Sequence, residues 1–251
     1  RSMLITGKRW VKYMKLICYL SNGYPTIESS IEMAKIYTKA GCDVIEVDFP
    51  SHDPYLEGEL IAGRMKKALE NCNDYEKYME GIVKIKKDNP NTKILLLAYG
   101  NTINEIGEDK FIKFCLDNDI MDLIFIGEDI VLLNKLMNSG IKTSCYVQFH
   151  LPEDEVKNAL KSNGFVYMQA KPMTNNINEK YPTLKDCIAQ LKNLGINREI
   201  YCGVGVRDVD DVKMVKEANA DGVFVGSTIL KLHDNIPELK KKIAELKSAT
   251  L

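Results

Sequence analysis

Two glutamates eleven residues apart, Glu46 and Glu57, are the side chains of this sequence best suited to proton transfer. Glu46 interrupts an apolar run, Val44-Ile45-Glu46-Val47, and Glu57 follows in a proline-containing loop as Leu56-Glu57-Gly58. A carboxylate buried in an apolar strand is costly to keep charged, so its pKa rises toward neutrality. Such a group serves as a general acid or base, and a second carboxylate on a nearby loop can take the complementary role. Each glutamate also has a plainer reading. Glu46 could be a structural carboxylate bonded to backbone or to a neighbouring Tyr, and Glu57 a solvated loop charge, the commoner fate of Glu. Two aspartates compete with them. Asp48 shares a strand face with Glu46 by the period of two, and Asp53, followed by Pro54, suits a loop cap.

A second chemistry is anion binding. Gly203-Val204-Gly205-Val206 and Gly226-Ser227-Thr228 each follow an apolar strand-like run. Glycines there let backbone N–H groups approach a phosphate, and the start of a following helix adds its dipole. The plainer reading is a pair of tight turns. Two glycine clusters at the ends of the last two strands favour phosphate.

The elements that must position these residues repeat in a regular rhythm. Strands are expected at 15–21, 43–49, 93–99, 122–127, 142–149, 165–170, 199–203 and 222–225. Helices are expected at 26–40, 59–70, 75–88, 111–118, 130–139, 152–162, 184–194, 209–218 and 236–248. The strands are continuous apolar runs, as in a parallel sheet covered on both faces. Eight strand-helix repeats in 251 residues match a single (β/α)8 barrel. The alternative is a doubly wound open sheet, but the first turn, Ser21-Asn22-Gly23-Tyr24-Pro25, lacks G-x-G-x-x-G. In a barrel the active site lies at the C-terminal strand ends, where Glu46 falls, and the long loops 50–58 and 171–182 read as lids.

Composition narrows the class. A net charge of −1 removes any global attraction to nucleic acid or an anionic membrane surface. No apolar run reaches the ~18–20 residues of a membrane span. The seven cysteines are scattered singly, which reads as reduced thiols in the cytoplasm, and neither they nor the three histidines have metal-ligand spacing. A structural zinc site is not expected. Residues 1–14 read as a tag-like remnant or a short leading helix ahead of one domain over 15–251.

From Lys15 onward the sequence resembles the tryptophan synthase α-subunit family. The family loop E-L-G-x-P-F-S-D-P-x-A-D-G-P is similar to Glu46-Val47-Asp48-Phe49-Pro50-Ser51-His52-Asp53-Pro54-Tyr55-Leu56-Glu57-Gly58-Glu59, and its two catalytic acids are also eleven residues apart. Leu20–Pro25 resembles V-T-x-G-D-P, Leu97–Asn101 resembles M-x-Y-x-N, and Gly164–Tyr167 resembles G-Y-x-Y. Gly203–Val206 resembles G-F-G-I, and Val225–Ile229 resembles S-G-S-A-I. The resemblance implies retro-aldol cleavage of indole-3-glycerol phosphate to indole and glyceraldehyde 3-phosphate, a chemistry that needs no metal and no organic cofactor in this subunit. It implies that Glu46 moves protons at indole C3 and the substrate hydroxyl, and that Glu57 stabilises the indole N–H. Tyr19 (often Phe in the family) and Leu97 would wall the indole pocket, with Tyr167 beside the substrate. Gly203, Val204, Gly205, Gly226 and Ser227 would hold the phosphate, and Thr174 or Asn175 of the lid would meet Glu57. The implied partner is a pyridoxal-phosphate tryptophan synthase beta subunit in an alpha2beta2 heterotetramer.

Three departures from the pattern bear on the acid, the lid and the first turn. Glu57 replaces an Asp and is longer by one methylene, about 1.5 Å. The lid Ala170-Lys171-Pro172-Met173-Thr174-Asn175-Asn176 lacks both glycines of S-R-x-G-V-T-G, and Tyr24 replaces the acid of G-D-P. These departures leave two alternatives: a barrel lyase or isomerase acting on another phosphorylated substrate, and a non-catalytic homologue serving as a binding or regulatory subunit.

Overall fold

The structure, a computed structural model, describes residues 3–6 and 9–251, with 3–6 and 9–12 given by their backbone alone. In chain order the elements are β1 (Met3–Thr6), β2 (Arg9–Lys12), β3 (Lys15–Leu20), α1 (Ile27–Ala40), β4 (Val44–Asp48), α2 (Glu59–Asn71), α3 (Tyr75–Asp88) and β5 (Lys93–Tyr99). Then come α4 (Gly100–Ile106), α5 (Glu108–Asp117), β6 (Asp122–Ile126), α6 (Ile130–Asn138), β7 (Lys142–Thr143), β8 (Cys145–Val147) and α7 (Glu153–Lys161). The chain ends with β9 (Val166–Gln169), α8 (Leu184–Asn193), β10 (Ile200–Gly203), α9 (Val209–Glu217), β11 (Gly222–Val225), α10 (Ser227–Leu230) and α11 (Ile236–Ala249).

Nine strands form one sheet in the order β7-β6-β5-β4-β3-β11-β10-β9-β8. The register is parallel in β4–β5, β5–β6, β6–β7, β8–β9, β9–β10 and β10–β11. The two ends of that order, β7 and β8, are consecutive in the chain and separated only by Ser144. They are the two halves of the expected fifth strand, so the eight repeats of a (β/α)8 barrel appear as nine strand segments. Every residue of β4, β10 and β11 is buried, the two acids of β4 included.

Contacts group the chain into two units, Cys18–Thr143 and Arg1–Ile17 with Ser144–Leu251. In the first, α1 lies against α3 at Gly81, where a Cβ would stand 2.7 Å from Ile27 Cγ2. The Phe49 ring meets Phe111 and Phe114 edge-on at 5.7 and 6.1 Å, and the buried Tyr37 hydroxyl donates to the Tyr19 carbonyl at 2.8 Å. In the second, Tyr167 stacks on Phe224 with centroids 4.4 Å apart, and Phe165 stacks on Tyr201 at 4.6 Å. Lys15 pairs there with Glu199 at 2.7 Å.

Four features differ from the sequence expectation. Met3–Thr6 and Arg9–Lys12 pair as antiparallel strands, with Met3 opposite Lys12 and Thr6 opposite Arg9, rather than forming a leading helix. Ser144 breaks the fifth strand. The helix α4 follows β5 directly, although Gly100-Asn101-Thr102 is a weak helix former; burial of Ile103 and Ile106, three apart on one face, outweighs propensity. The four-residue α10 is too short to leave a periodic signal.

The loop at 171–182 is anchored at its far end by a capping box on α8. Thr183 Oγ1 accepts from Asp186 N–H, and the Asp186 carboxylate accepts from Thr183 N–H, each at 3.2 Å. Thr183→Ala is expected to cost about 1 kcal/mol of stability, measured as a lower urea midpoint; an unshifted midpoint would show that the cap contributes nothing.

Candidate active site

The carboxylates gather in the unit Cys18–Thr143. Glu46 and Asp48 point from one face of β4, and both are buried, at 7 % and 1 % exposure. They pair in register with Leu95 and Leu97 of β5. Asp48 is the fully bonded member. Its Oδ2 accepts the Tyr19 hydroxyl at 2.5 Å, and its Oδ1 accepts the Asn22 N–H at 2.7 Å. Burial raises its pKa to about 7, against the downward pull of those two hydrogen bonds. The plainer role foreseen for Glu46, a carboxylate held by backbone and a Tyr, thus falls to Asp48.

Glu46 lies well above the ordinary carboxylate range. Burial is the main cause, and the negative charges of Glu57 and Asp48 add to it. Both causes favour the protonated form of Glu46 over the charged one. Glu57 is half-buried rather than a solvated loop charge, and its Oε1 accepts the Tyr99 hydroxyl at 3.3 Å. Burial raises its pKa, and the Tyr99 bond pulls it back. The two glutamates thus interact as a pair in which charge on one favours a proton on the other.

The loop carrying Glu57 is pinned at its start. Phe49 N–H donates to the Leu97 carbonyl at 2.9 Å, and the Tyr75 hydroxyl donates to the Pro50 carbonyl at 2.8 Å. Ser51 Oγ accepts from Asn101 Nδ2 at 3.3 Å and from Asp53 N–H at 3.1 Å. Asp53 itself is exposed. Beyond these anchors Tyr55 lies edge-on to Tyr99 at 5.2 Å, while Tyr55 and Leu56 are 56 % and 68 % exposed. Tyr19 and Leu97 are buried in the same unit as the acids.

The glycine clusters lie in the other unit, after β10 and β11. Val204 and Gly205 both have positive φ, 69° and 85°. A β-branched residue there is strained, and the glycine beside it turns without penalty. A Cβ on Gly203 would collide with the Tyr167 hydroxyl and stand 2.9 Å from Phe224 Cβ, so a side chain there would force a neighbour to shift. A Cβ on Gly205 would lie 3.3 Å from Lys171 Cδ. Lys171 is ion-paired with Asp211. Gly226 caps α10, whose first residue is Ser227, and the first N–H groups of any helix lack an internal acceptor. Thr174 and Asn175 are exposed in the loop after β9, where Thr174 Oγ1 accepts from Asn176 N–H at 3.2 Å.

The structure therefore brings Glu46, Glu57, Tyr19 and Leu97 into one unit, and Tyr167 with Gly203 into the other. The sequence assigns no role to Asn22 or Tyr99, and it offers Asp48 only as a competitor of the glutamates. Tyr99 left one signal, a polar aromatic at the C-terminal end of an otherwise apolar strand.

A sequence model of the family described as "Tryptophan synthase alpha chain" matches residues 8–250. Among curated relatives, the chain is 29% identical to the tryptophan synthase alpha chain of Buchnera aphidicola, over 98% of this chain and 97% of that one. Among solved structures it is similar to the tryptophan synthase subunit alpha of Campylobacter jejuni, with a TM-score of 0.79 and 26% identity over 94% of this chain and 96% of that one. The fold is also shared with a chain of Mycobacterium tuberculosis tryptophan synthase, with a TM-score of 0.81 and 22% identity over 95% of this chain and 93% of that one.

Two predictions follow from this geometry. Asp48 binds its proton more tightly folded (about 7) than at its ordinary 3.8. Its contribution is therefore fully present below pH ~4 and is lost as pH rises toward 7, by roughly 4 kcal/mol in all. The stability gap between wild type and Asp48→Asn, followed by urea unfolding, should narrow across that range; a constant gap would refute the assignment. Gly203→Ala should displace Tyr167 and lower stability by about 1–3 kcal/mol, and a melting temperature equal to wild type would show that the contact is easily relieved.

Proposed function

Because this chain belongs to the tryptophan synthase alpha chain family, we propose that Glu46 and Glu57 are the acid–base pair with which it cleaves indole-3-glycerol phosphate to indole and glyceraldehyde 3-phosphate. The observation that supports this most is the pairing of two desolvated carboxyl groups at the family's eleven-residue spacing.

The protonated Glu46 gives its proton to ring C3, and the positive charge that develops at the ring N–H is stabilised by the Glu57 carboxylate. Glu46, now ionised, takes the proton of the side-chain hydroxyl. The bond from ring C3 to the side chain breaks, its electron pair returns to the ring, and the hydroxyl carbon becomes the aldehyde. Glu46 ends as it began. The high pKa of Glu46 suits its role as donor, and the Tyr99 hydroxyl favours the charged form of Glu57. Glu57, longer than the family's Asp by one methylene, reaches the Tyr99 hydroxyl at 3.3 Å.

In this reading Tyr19 and Leu97 wall the indole slot, Tyr167 lies beside the substrate, and Thr174 or Asn175 meets Glu57 when the loop closes. The turn of Gly203, Val204 and Gly205, with Gly226 and Ser227, holds the phosphate through backbone N–H groups. The exposed Tyr55 and Leu56 suit a contact with a tryptophan synthase beta subunit in an alpha2beta2 heterotetramer. Among the described residues no helix is long and apolar enough to cross a membrane, and seven free cysteines suit a reducing cytoplasm. Neither alternative, another phosphorylated substrate or a non-catalytic homologue, is favoured by the likenesses.

Indole release in single turnover tests the assignment. Glu46→Gln and Glu57→Gln should each lower the rate by about 10²–10⁴-fold while folding normally. Wild-type rates in either variant would remove that residue from the mechanism.

A further inference from the structure

Two of this chain's departures from the family pattern meet each other. The motif E-L-G has glycine where this chain has Asp48, and Tyr19 stands where the family often has Phe. The added hydroxyl and the added carboxylate share a hydrogen bond of 2.5 Å, buried from solvent at both ends. The second carboxylate oxygen holds the backbone of Asn22 at 2.7 Å. We propose that Asp48 is a positioning residue of the lyase site, clamping the Tyr19 ring and the Ser21-Asn22-Gly23 turn on the Glu46 face of β4 so that the indole slot keeps its shape.

This inference rests on the lyase reading given above. Three observations support it. First, the bonding is saturated on one side only: both oxygens of Asp48 accept, and both donors belong to β3 and the turn that follows it. An amide at position 48 has a single acceptor oxygen and would set its NH₂ against one of the two donors. Second, burial and the neighbouring Asp48 charge push the Tyr19 phenol well above its ordinary range, so it stays a donor throughout. Third, the clamped turn carries a buried amide, Asn22, whose Oδ1 and Nδ2 have no hydrogen-bond partner among the described residues. Such a group gains most when a bound molecule supplies the missing partner, so its placement bears on substrate recognition. Asp48 touches no reacting atom in this scheme and acts through Tyr19 and the turn.

The test compares Tyr19→Phe, Asp48→Asn and the double variant in steady-state cleavage of indole-3-glycerol phosphate, with melting temperatures recorded alongside. Each single variant should raise KM about tenfold, the cost of one lost or unmatched buried hydrogen bond, with a smaller effect on kcat. The double variant should be no worse than the poorer single one, because both substitutions break the same link. Folded variants with wild-type KM, or a double variant in which the two losses multiply, would overturn the clamp while leaving the lyase reading intact. A fall in kcat for Asp48→Asn as deep as that for Glu46→Gln, with KM unmoved, would also overturn it and place Asp48 in the proton transfers. No indole release by the wild type would sink the lyase reading and the clamp together.

Discussion

Desolvation of acids in β4 is the constraint on which the site depends. A parallel strand covered on both faces offers carboxylates no water, so each must find donors, take a proton or reach toward solvent. The three acids Glu46, Asp48 and Glu57 use all three routes. Asp48 accepts two donors, the pKa of Glu46 is held above the ordinary range by burial and its neighbours' charges, and Glu57 sits half-buried on a loop with a Tyr99 hydroxyl. The different environments of these like groups thus follow from unequal burial and hydrogen bonding.

The other unit relies on backbone shape instead of charge. The strained φ of Val204, the glycine beside it and the close approach of Tyr167 to Gly203 make a turn that substitution would distort. The nearby Lys171 is already paired with Asp211. A turn of this kind can meet an anion with N–H dipoles.

Much of the fold was legible because strand and helix periodicities are strong in buried α/β repeats. The helix at 75–88 begins and ends where its pattern does, and Thr26 caps the helix it was expected to start. What escaped were features with weak local signals. The helix α4 forms against its own propensities, Ser144 divides a strand whose sequence reads as continuous, and the leading strands depend on pairing between two four-residue runs. In the site, Glu46 stood out because a charge in an apolar run is unusual, whereas Asp48 read only as its competitor.

The sequence by itself determined the repeat, the strand that carries the acids, the face they share and the glycine turns, since each is written in periodicity or in residue type within a few positions. Only the tertiary structure decided which acid is bonded at both oxygens and which has its pKa raised by burial and like charge. That choice depends on Tyr19, Asn22 and Tyr99, which lie 26 to 42 residues away along the chain from the acids they serve. Desolvation and hydrogen bonding act through space, and no local pattern encodes them.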